Sequence, residues 1–219
     1  MFGKIKIGFL LVLFYSCVTS AQLFESLEKE TSDILISLSQ GNALLPEDLI
    51  TIKELLNSDF NDYKFSDIPV DSFNKENLSK HLSEFESELK NISTDSALVL
   101  FNQWYLHLSN TFYEYNKEKF FLSPNKKIIL FSASMSCYCT LEMCREQAIQ
   151  LIKFIRSNSN NYNYWIIDSF ENNELQIEYM TLFAPSVIVF GGDNEVFYKI
   201  EYDEEMIVRL TEYLSNNIH

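Results

Sequence analysis

Hydrophobic positions in the first half of the chain recur every three or four residues, which is the spacing of one face of an α-helix. This spacing predicts four helices, whose apolar faces are Leu23 to Leu38, Leu49 to Leu56, Leu78 to Leu89 and Ala97 to Phe112. Gly41 follows the first face, Pro46 suits the first position of the second helix, and Asp71 and Thr94 are N-cap candidates for the others. We therefore predict a small helical domain over residues 22–116.

The second half changes to short apolar runs rich in β-branched residues, which is typical of buried strands. The order is strand, helix, strand, helix, strand, strand, helix, at Lys127 to Phe131, Glu142 to Arg156, Tyr164 to Ile167, Glu171 to Met180, Ser186 to Phe190, Val196 to Ile200 and Met206 to Leu214. The turn from Gly191 to Asn194 joins the last two strands in a hairpin. Parallel strands joined by a crossover helix, followed by that hairpin, predict an α/β sheet with helices on both faces over residues 117–219.

The first residues have the three-part order of a secretory signal peptide. Lys4 and Lys6 precede an apolar run, and the small residues Thr19 and Ala21 stand three and one positions before the expected cut. The run is shorter than the roughly 20 helical residues that span a bilayer. We predict that residues 1–21 are removed and that the protein is exported, to a periplasm or to the extracellular space.

Two other interpretations of this segment differ in where the chain is held. A lipoprotein signal would attach a lipid at Cys17, but bulky Tyr15 stands where such signals have a small residue. A buried N-terminal helix would leave Lys4 and Lys6 at its start without an amphipathic stripe. Membrane association is therefore expected only if Cys17 is lipidated.

Charge and composition exclude some classes of protein. The chain has 31 acidic and 17 basic residues, a formal charge of -14, and loss of Lys4 and Lys6 with the signal peptide makes it -16. Such a charge disfavours binding to nucleic acid phosphates. Apolar residues make up 47% and aromatic residues 15% of the chain, which indicates a folded core instead of an acidic disordered segment.

Chemistry is concentrated where the first predicted strand gives way to a helix, at Ser136-Cys137-Tyr138-Cys139. The N-terminus of a helix offers free backbone N–H groups and a favourable dipole, which lower the pKa of a thiol. Cys144 lies five residues beyond Cys139, and on a helix that separation is about 8 Å along the axis, which exceeds disulfide reach. We expect Cys144 to be an unpaired core thiol.

This stretch resembles the thioredoxin fold, and most closely the TlpA/ResA-type proteins of bacterial envelopes. Phe131 to Cys139 is similar to the family's Phe-Trp-Ala-x-Trp-Cys-x-x-Cys, and Cys139 to Cys144 to its Cys-x-x-Glu-Met-Pro. Asp168, Glu171 to Leu175 and Ala184 to Phe190 resemble the later landmarks of the fold. The resemblance covers about residues 118–219 and implies a thioredoxin-like domain, with a central mixed sheet flanked by helices, after the helical domain.

The resemblance also implies a function, thiol-disulfide exchange with client proteins that carry a thiol or a disulfide. Cys137 and Cys139 would be the catalytic pair, and no cofactor is expected. The client would be bound by Ser136, Tyr138, Ala184 and Pro185. Pro185 would be cis and would lie against the loop that carries the thiols.

Departures from the family's motif leave three interpretations of the cysteines open. In the direct register the attacking cysteine of the family falls on Ser136, and its buried acid falls on Leu130. One extra loop residue would instead make Cys137 the attacking thiol, with Thr140 in the resolving position. Cys137 and Cys139 could also form a disulfide between themselves.

Two further functions compete with exchange. Soft thiolates suit copper(I) or zinc, but His81, His107 and His219 are distant in sequence and structural zinc takes four ligands, so no metal site is predicted. The second alternative is a redox-inactive thioredoxin-like module whose helical domain binds another envelope protein, because fold does not dictate function.

Overall fold

The computed structural model describes residues 25–57, 72–158 and 162–217. The helices are α1 (25–39), α2 (Ile50–Asn57, preceded by a 3-10 turn at Pro46–Leu49), α3 (Ser72–Glu88), α4 (Thr94–Thr111), α5 (Tyr113–Leu122), α6 (Tyr138–Ser157), α7 (Glu174–Glu178) and α8 (Met206–Asn217). The strands are β1 (Lys126–Ser132), β2 (Tyr162–Asp168), β3 (Ser186–Phe190) and β4 (Val196–Glu201).

The four strands form one mixed sheet in the order β2-β1-β3-β4. β1 and β2 are parallel, with Ser132 opposite Asp168 at their carboxyl ends, and α6 is the crossover between them. β3 runs antiparallel to β1 and β4 antiparallel to β3. The carboxyl ends of β1 and β2 and the start of β3 therefore lie at the same end of the sheet, as the sequence predicted.

Alternate residues of the strands face two hydrophobic clusters, because successive strand side chains point to opposite faces. Ile129, Trp165 and Ile188 pack with residues of α5 and α7 on one face. Ile128 and Ile166 pack on the other face in a cluster that includes residues of α6 and α8. Helices cover both faces, and this agrees with the expected α/β class.

The helical half of the chain contributes to the same core as the sheet. The cluster that holds Ile128 and Ile166 also holds Leu35, Phe101 and Leu108, from α1 and α4. The Ser109 hydroxyl of α4 donates a 2.6 Å hydrogen bond to the carbonyl of Ile166 in β2. The predicted domain boundary after residue 116 falls inside α5, and the division into two domains stays a prediction.

Several predicted element bounds need correction. The N-cap of α4 is Ser93, whose hydroxyl accepts from the N–H of Ser96, and Thr94 is the first helical residue. α5 was not predicted, because aromatic and charged side chains alternate without a clear apolar stripe in Tyr113–Leu122. α6 begins at Tyr138, before the predicted Glu142, and α7 is shorter than predicted at each end.

The predicted signal peptide, Cys17 and the N-cap candidate Asp71 lie outside the described residues. Within the described ranges, none of the helices is both long and apolar enough to cross a membrane.

Candidate thiol site

Cys137 occupies the N-cap of α6, immediately after the loop that leaves β1. Its backbone is extended, with φ -64° and ψ 155°, and its carbonyl accepts the first bond of the helix from the N–H of Leu141. The side chain is exposed and the thiol is free. An exposed sulfur at a helix N-terminus is placed for nucleophilic attack, because backbone N–H groups and the helix dipole favour its anionic form.

The surroundings of Cys137 favour its thiolate. Its Sγ atom lies 3.0 Å from Sγ of Cys139 and 3.1 Å from Oγ1 of Thr140. The pKa of the Cys137 thiol is lowered from 9.0 to about 7, chiefly by the Cys139 thiol and then by the hydroxyl and N–H of Thr140. A large fraction of this thiol is therefore ionised at neutral pH.

Thr140 links the thiol to Tyr202, the residue that follows β4. It is buried, and its Oγ1 lies 3.4 Å from Oη of Tyr202. Tyr202 has a φ of 48°, a left-handed conformation that non-glycine residues seldom adopt, and its N–H donates to the carbonyl of Pro185. The chain of contacts therefore runs from Pro185 through Tyr202 and Thr140 to the sulfur of Cys137.

The Ala184-Pro185 peptide bond is cis, as the sequence analysis predicted. Pro185 is buried just before β3, while Ala184 lines a groove of about 820 Å³. Ser136 lines the same groove, together with the exposed apolar side chains of Met135 and Phe183. The structure therefore brings Ser136 and Ala184, two of the predicted client-binding residues, to one concave surface.

The other two cysteines differ sharply. Cys139 is exposed on the first turn of α6, whereas Cys144 is 1% exposed and packs in the core. Burial raises the pKa of the Cys144 thiol to about 11. Cys144 is therefore the unpaired core thiol that was predicted, and it is unsuited to attack.

Tyr138 and Leu130 differ in their exposure to solvent. Tyr138 is 73% exposed at the start of α6, beside the thiols. Leu130, which only the direct register aligned with a buried acid, is fully buried in the apolar core. Within the ranges that the structure describes, no group of three or more His, Cys, Asp and Glu side chains could hold a metal ion.

Three contributors to the site were not identified from the sequence as functional residues. Tyr202 carried no signal, since its left-handed backbone follows an ordinary strand. Asn110 of α4, in the helical half, donates a hydrogen bond to the carboxylate of Asp168. Asp168 was noted only as a landmark, yet its buried carboxylate accepts from the N–H groups of Ser134 and Phe170.

No family model matches the sequence, and no curated protein matches it. Solved structures similar to this chain include mitochondrial thioredoxin 3 from Saccharomyces cerevisiae in its oxidized form, at 17% identity and a TM-score of 0.38, covering 46% of this chain and 87% of that one. The germline-specific thioredoxin Deadhead from Drosophila melanogaster has 16% identity and a TM-score of 0.39, with 50% and 93% covered. Thioredoxin O2 from Arabidopsis thaliana, in the oxidized state, has 14% identity and a TM-score of 0.39, with 49% and 89% covered.

The architecture of the second half agrees with the fold expected from its sequence. A mixed sheet in the order β2-β1-β3-β4 has helices on both faces, cysteines stand at the start of α6, and a cis proline precedes β3. The chain therefore has a thioredoxin-like α/β fold preceded by a helical region.

Proposed function

We propose that this protein is a thiol-disulfide oxidoreductase or isomerase in which Cys137 is the attacking thiol. The observation that carries the proposal is the exposed Cys137 sulfur at the N-cap of α6, in contact with Cys139 and Thr140. Its lowered pKa supplies thiolate near neutral pH. A thiol whose pKa is near the ambient pH combines a large thiolate fraction with good nucleophilicity.

The geometry supports the interpretation with one extra loop residue over the direct register. Cys137, not Ser136, forms the cap of α6, and the buried side chain three residues later is Thr140. A threonine hydroxyl can hydrogen-bond the thiolate but cannot form a disulfide. The site is therefore proposed to attack through one thiol and to lack a resolving thiol at the buried position.

The exchange step begins when the Cys137 thiolate attacks one sulfur of a client disulfide. The client S–S bond breaks, a Cys137–client disulfide forms, and the other client sulfur leaves as a thiolate that takes a proton from water. When a different client thiol attacks the client sulfur of this mixed disulfide, a rearranged client disulfide forms and Cys137 returns as a thiolate. This isomerase cycle balances without any net oxidant or reductant.

Cys139 provides a second exit from the mixed disulfide. Its sulfur, 3.0 Å from that of Cys137, can attack Cys137 Sγ, form a Cys137–Cys139 disulfide and release the client as a thiol. The client is then reduced by two electrons and the protein is oxidised by two, so a reducing thiol partner must restore it. A disulfide between residues two apart is geometrically tight, and a strained disulfide is more readily reduced.

The proposal includes export to a periplasm or the extracellular space and a TlpA/ResA-type role on envelope or secreted proteins. Its support is the order of charged, apolar and small residues in residues 1–21 and the motif from Phe131 to Cys144. Mass spectrometry of the secreted protein tests it. We expect a first residue of Ala21 or Gln22, and a secreted chain that still carries Met1 would contradict cleavage.

Exchange itself is tested with a scrambled-disulfide client and with a client that has a single native disulfide. We expect Cys137→Ser to abolish both rearrangement and reduction. Cys139→Ser should retain rearrangement and lose net reduction, while Cys144→Ser serves as the control thiol. A wild-type protein inactive in both assays would favour the interaction module that binds a partner without turnover.

A further inference from the structure

The carboxylate of Asp168 is buried at the end of β2 and is used by none of the exchange steps. The residue is 1% exposed, so its charge must be satisfied by hydrogen-bond donors. One oxygen accepts from the N–H of Ser134 at 3.0 Å and from the N–H of Phe170 at 3.1 Å. Ser134 belongs to the loop that ends at Cys137, so this carboxylate holds the loop that carries the attacking thiol.

The other oxygen of Asp168 is bound from the helical half. Nδ2 of Asn110, on the last turn of α4, lies 3.3 Å from it. The side-chain Oδ1 of Asn110 accepts from Nδ2 of Asn172 at 2.9 Å, which fixes the orientation of the amide. Asn110 therefore joins α4 to the loop after β2 and, through Asp168, to the loop after β1.

These contacts are additional to the links that hold the two loops together. The N–H and hydroxyl of Ser169 both donate to the carbonyl of Ser132, at 2.9 Å and 2.5 Å. Those bonds do not involve α4 and would survive a change at Asn110. Loss of the Asn110 amide should therefore leave the fold intact and alter only how firmly Asp168 is held.

We propose that Asn110 is a positioning residue for the Cys137 thiol, acting through Asp168 and the N–H of Ser134. A hydrogen bond to a carboxylate is stronger than one between neutral groups, so the Asn110 amide restrains the carboxylate that restrains the loop. The helical half is then part of the thiol site. The inference deepens the proposed function, since it rests on Cys137 being the attacking thiol.

The test measures the rate at which iodoacetamide alkylates Cys137 as a function of pH, in the full mature chain carrying Cys139→Ser. Asn110→Ala should lower the rate at pH 7 by about threefold or more, since a displaced thiol loses the contacts that favour its thiolate. An unchanged pH profile in Asn110→Ala would overturn the proposal.

Asn102 provides a matched control on the same helix. It is buried on α4, its Oδ1 has no hydrogen-bond partner among the residues that the structure describes, and it lies two turns before Asn110. Asn102→Ala should leave the Cys137 profile unchanged. If it shifts the profile as much as Asn110→Ala does, the effect is a general loosening of α4 and the positioning role is wrong.

The outcome is separable from that of the exchange assays. If Asn110→Ala alone shifts the profile while the wild type rearranges no client, the positioning role stands and the proposed function fails. If the wild type exchanges client disulfides and the profile does not move, the proposed function stands and the positioning role fails. Thermal unfolding of each variant shows whether the alkylated protein is folded.

Discussion

Oγ1 of Thr140, on the first turn of α6, lies 3.1 Å from Sγ of Cys137, the N-cap residue three positions earlier in the chain. In the register that the helix start defines, Thr140 stands where a resolving thiol would be needed for a Cys-x-x-Cys site. The side chain is buried and in contact with the Cys137 sulfur. One substitution at this position can therefore test which register the loop uses.

Thr140→Cys should create a working Cys-x-x-Cys pair with Cys137. We expect it to reduce a client disulfide at least about tenfold faster than the wild type, since the new thiol meets the mixed disulfide directly. Ser136→Cys, the substitution that the direct register favours, should give a smaller gain because Ser136 precedes the helix cap. The measurement is the initial rate of reduction with excess dithiol, and a larger gain from Ser136→Cys would refute the register.

The reactivity of Cys137 should follow its lowered pKa. Its alkylation rate should rise with pH through a midpoint near 7, and Thr140→Val should move that midpoint upward because a hydroxyl donor to the thiolate is lost. Tyr138→Phe is the matched control, since it removes an exposed hydroxyl from the same turn while the groups that lower the pKa of Cys137 stay in place. Tandem mass spectrometry assigns the modified residue, and a wild-type midpoint near 9 would count against an activated thiol.

The same pKa shift predicts a pH dependence of stability for the reduced protein. The folded pKa of about 7 lies below the unfolded value of 9.0, so folding favours loss of the proton. The contribution is fully present above pH 9 and is lost as the pH falls through 7. Denaturant unfolding with reductant should show this rise between pH 7 and 9, and Cys137→Ser should remove it.

Cys144 should behave as a packing residue. Alkylation of the native reduced protein should spare it, because it is buried and its pKa is raised to about 11. Cys144→Ala should lower the free energy of unfolding by about 1 kcal/mol and leave exchange unchanged.

If Cys137 and Cys139 form a disulfide, the denatured oxidised mature chain should show one alkylatable thiol, and three after reduction.

Glu28 of α1 should make stability fall as pH rises from mildly acidic values. Its carboxylate accepts from the hydroxyls of Tyr105 and Tyr164, and burial raises its pKa above 4.5. The folded state therefore holds this proton more tightly than the unfolded state, and stability declines as the pH passes from 4.5 through the folded pKa.

Glu28→Gln should flatten that decline while it keeps an acceptor for both tyrosines. Glu28→Leu should destabilise the protein by about 1–3 kcal/mol at the acidic end of the range, because buried hydroxyls lose their partner. Thermal unfolding between pH 4 and 8 measures both. Equal pH profiles for the wild type and Glu28→Gln would show that Glu28 is not the titrating group.

The sheet was predictable because its strands are short β-branched runs with distinct turns between them, as in Ser186–Phe190 and the hairpin that follows. Pro185 could be placed because a proline before a buried strand has few alternatives. The start of α6 was harder to predict. Tyr138, Cys139 and Thr140 are weak helix formers, so the sequence signal began only at Glu142.

The contacts that complete the site were beyond sequence reasoning because they join distant segments. Asn110 and Asp168 are separated by 58 residues and meet only once α4 packs along β2. Thr140 and Tyr202 are 62 residues apart, and their contact depends on a left-handed residue after β4. Neither pair has a spacing or a motif that could be recognised in one sequence.

The hydrophobic cluster that runs from α1 and α4 into the sheet limits how this protein can be divided. Separating the chain near residue 116 would cut α5 and would uncover apolar side chains such as Ile166, which α4 helps to bury. In an isolated second half, the edge strand β2 would expose apolar side chains, and the protein would be prone to aggregation. The Cys137 thiol should therefore be studied in a protein that contains both halves, and not in the thioredoxin-like part alone.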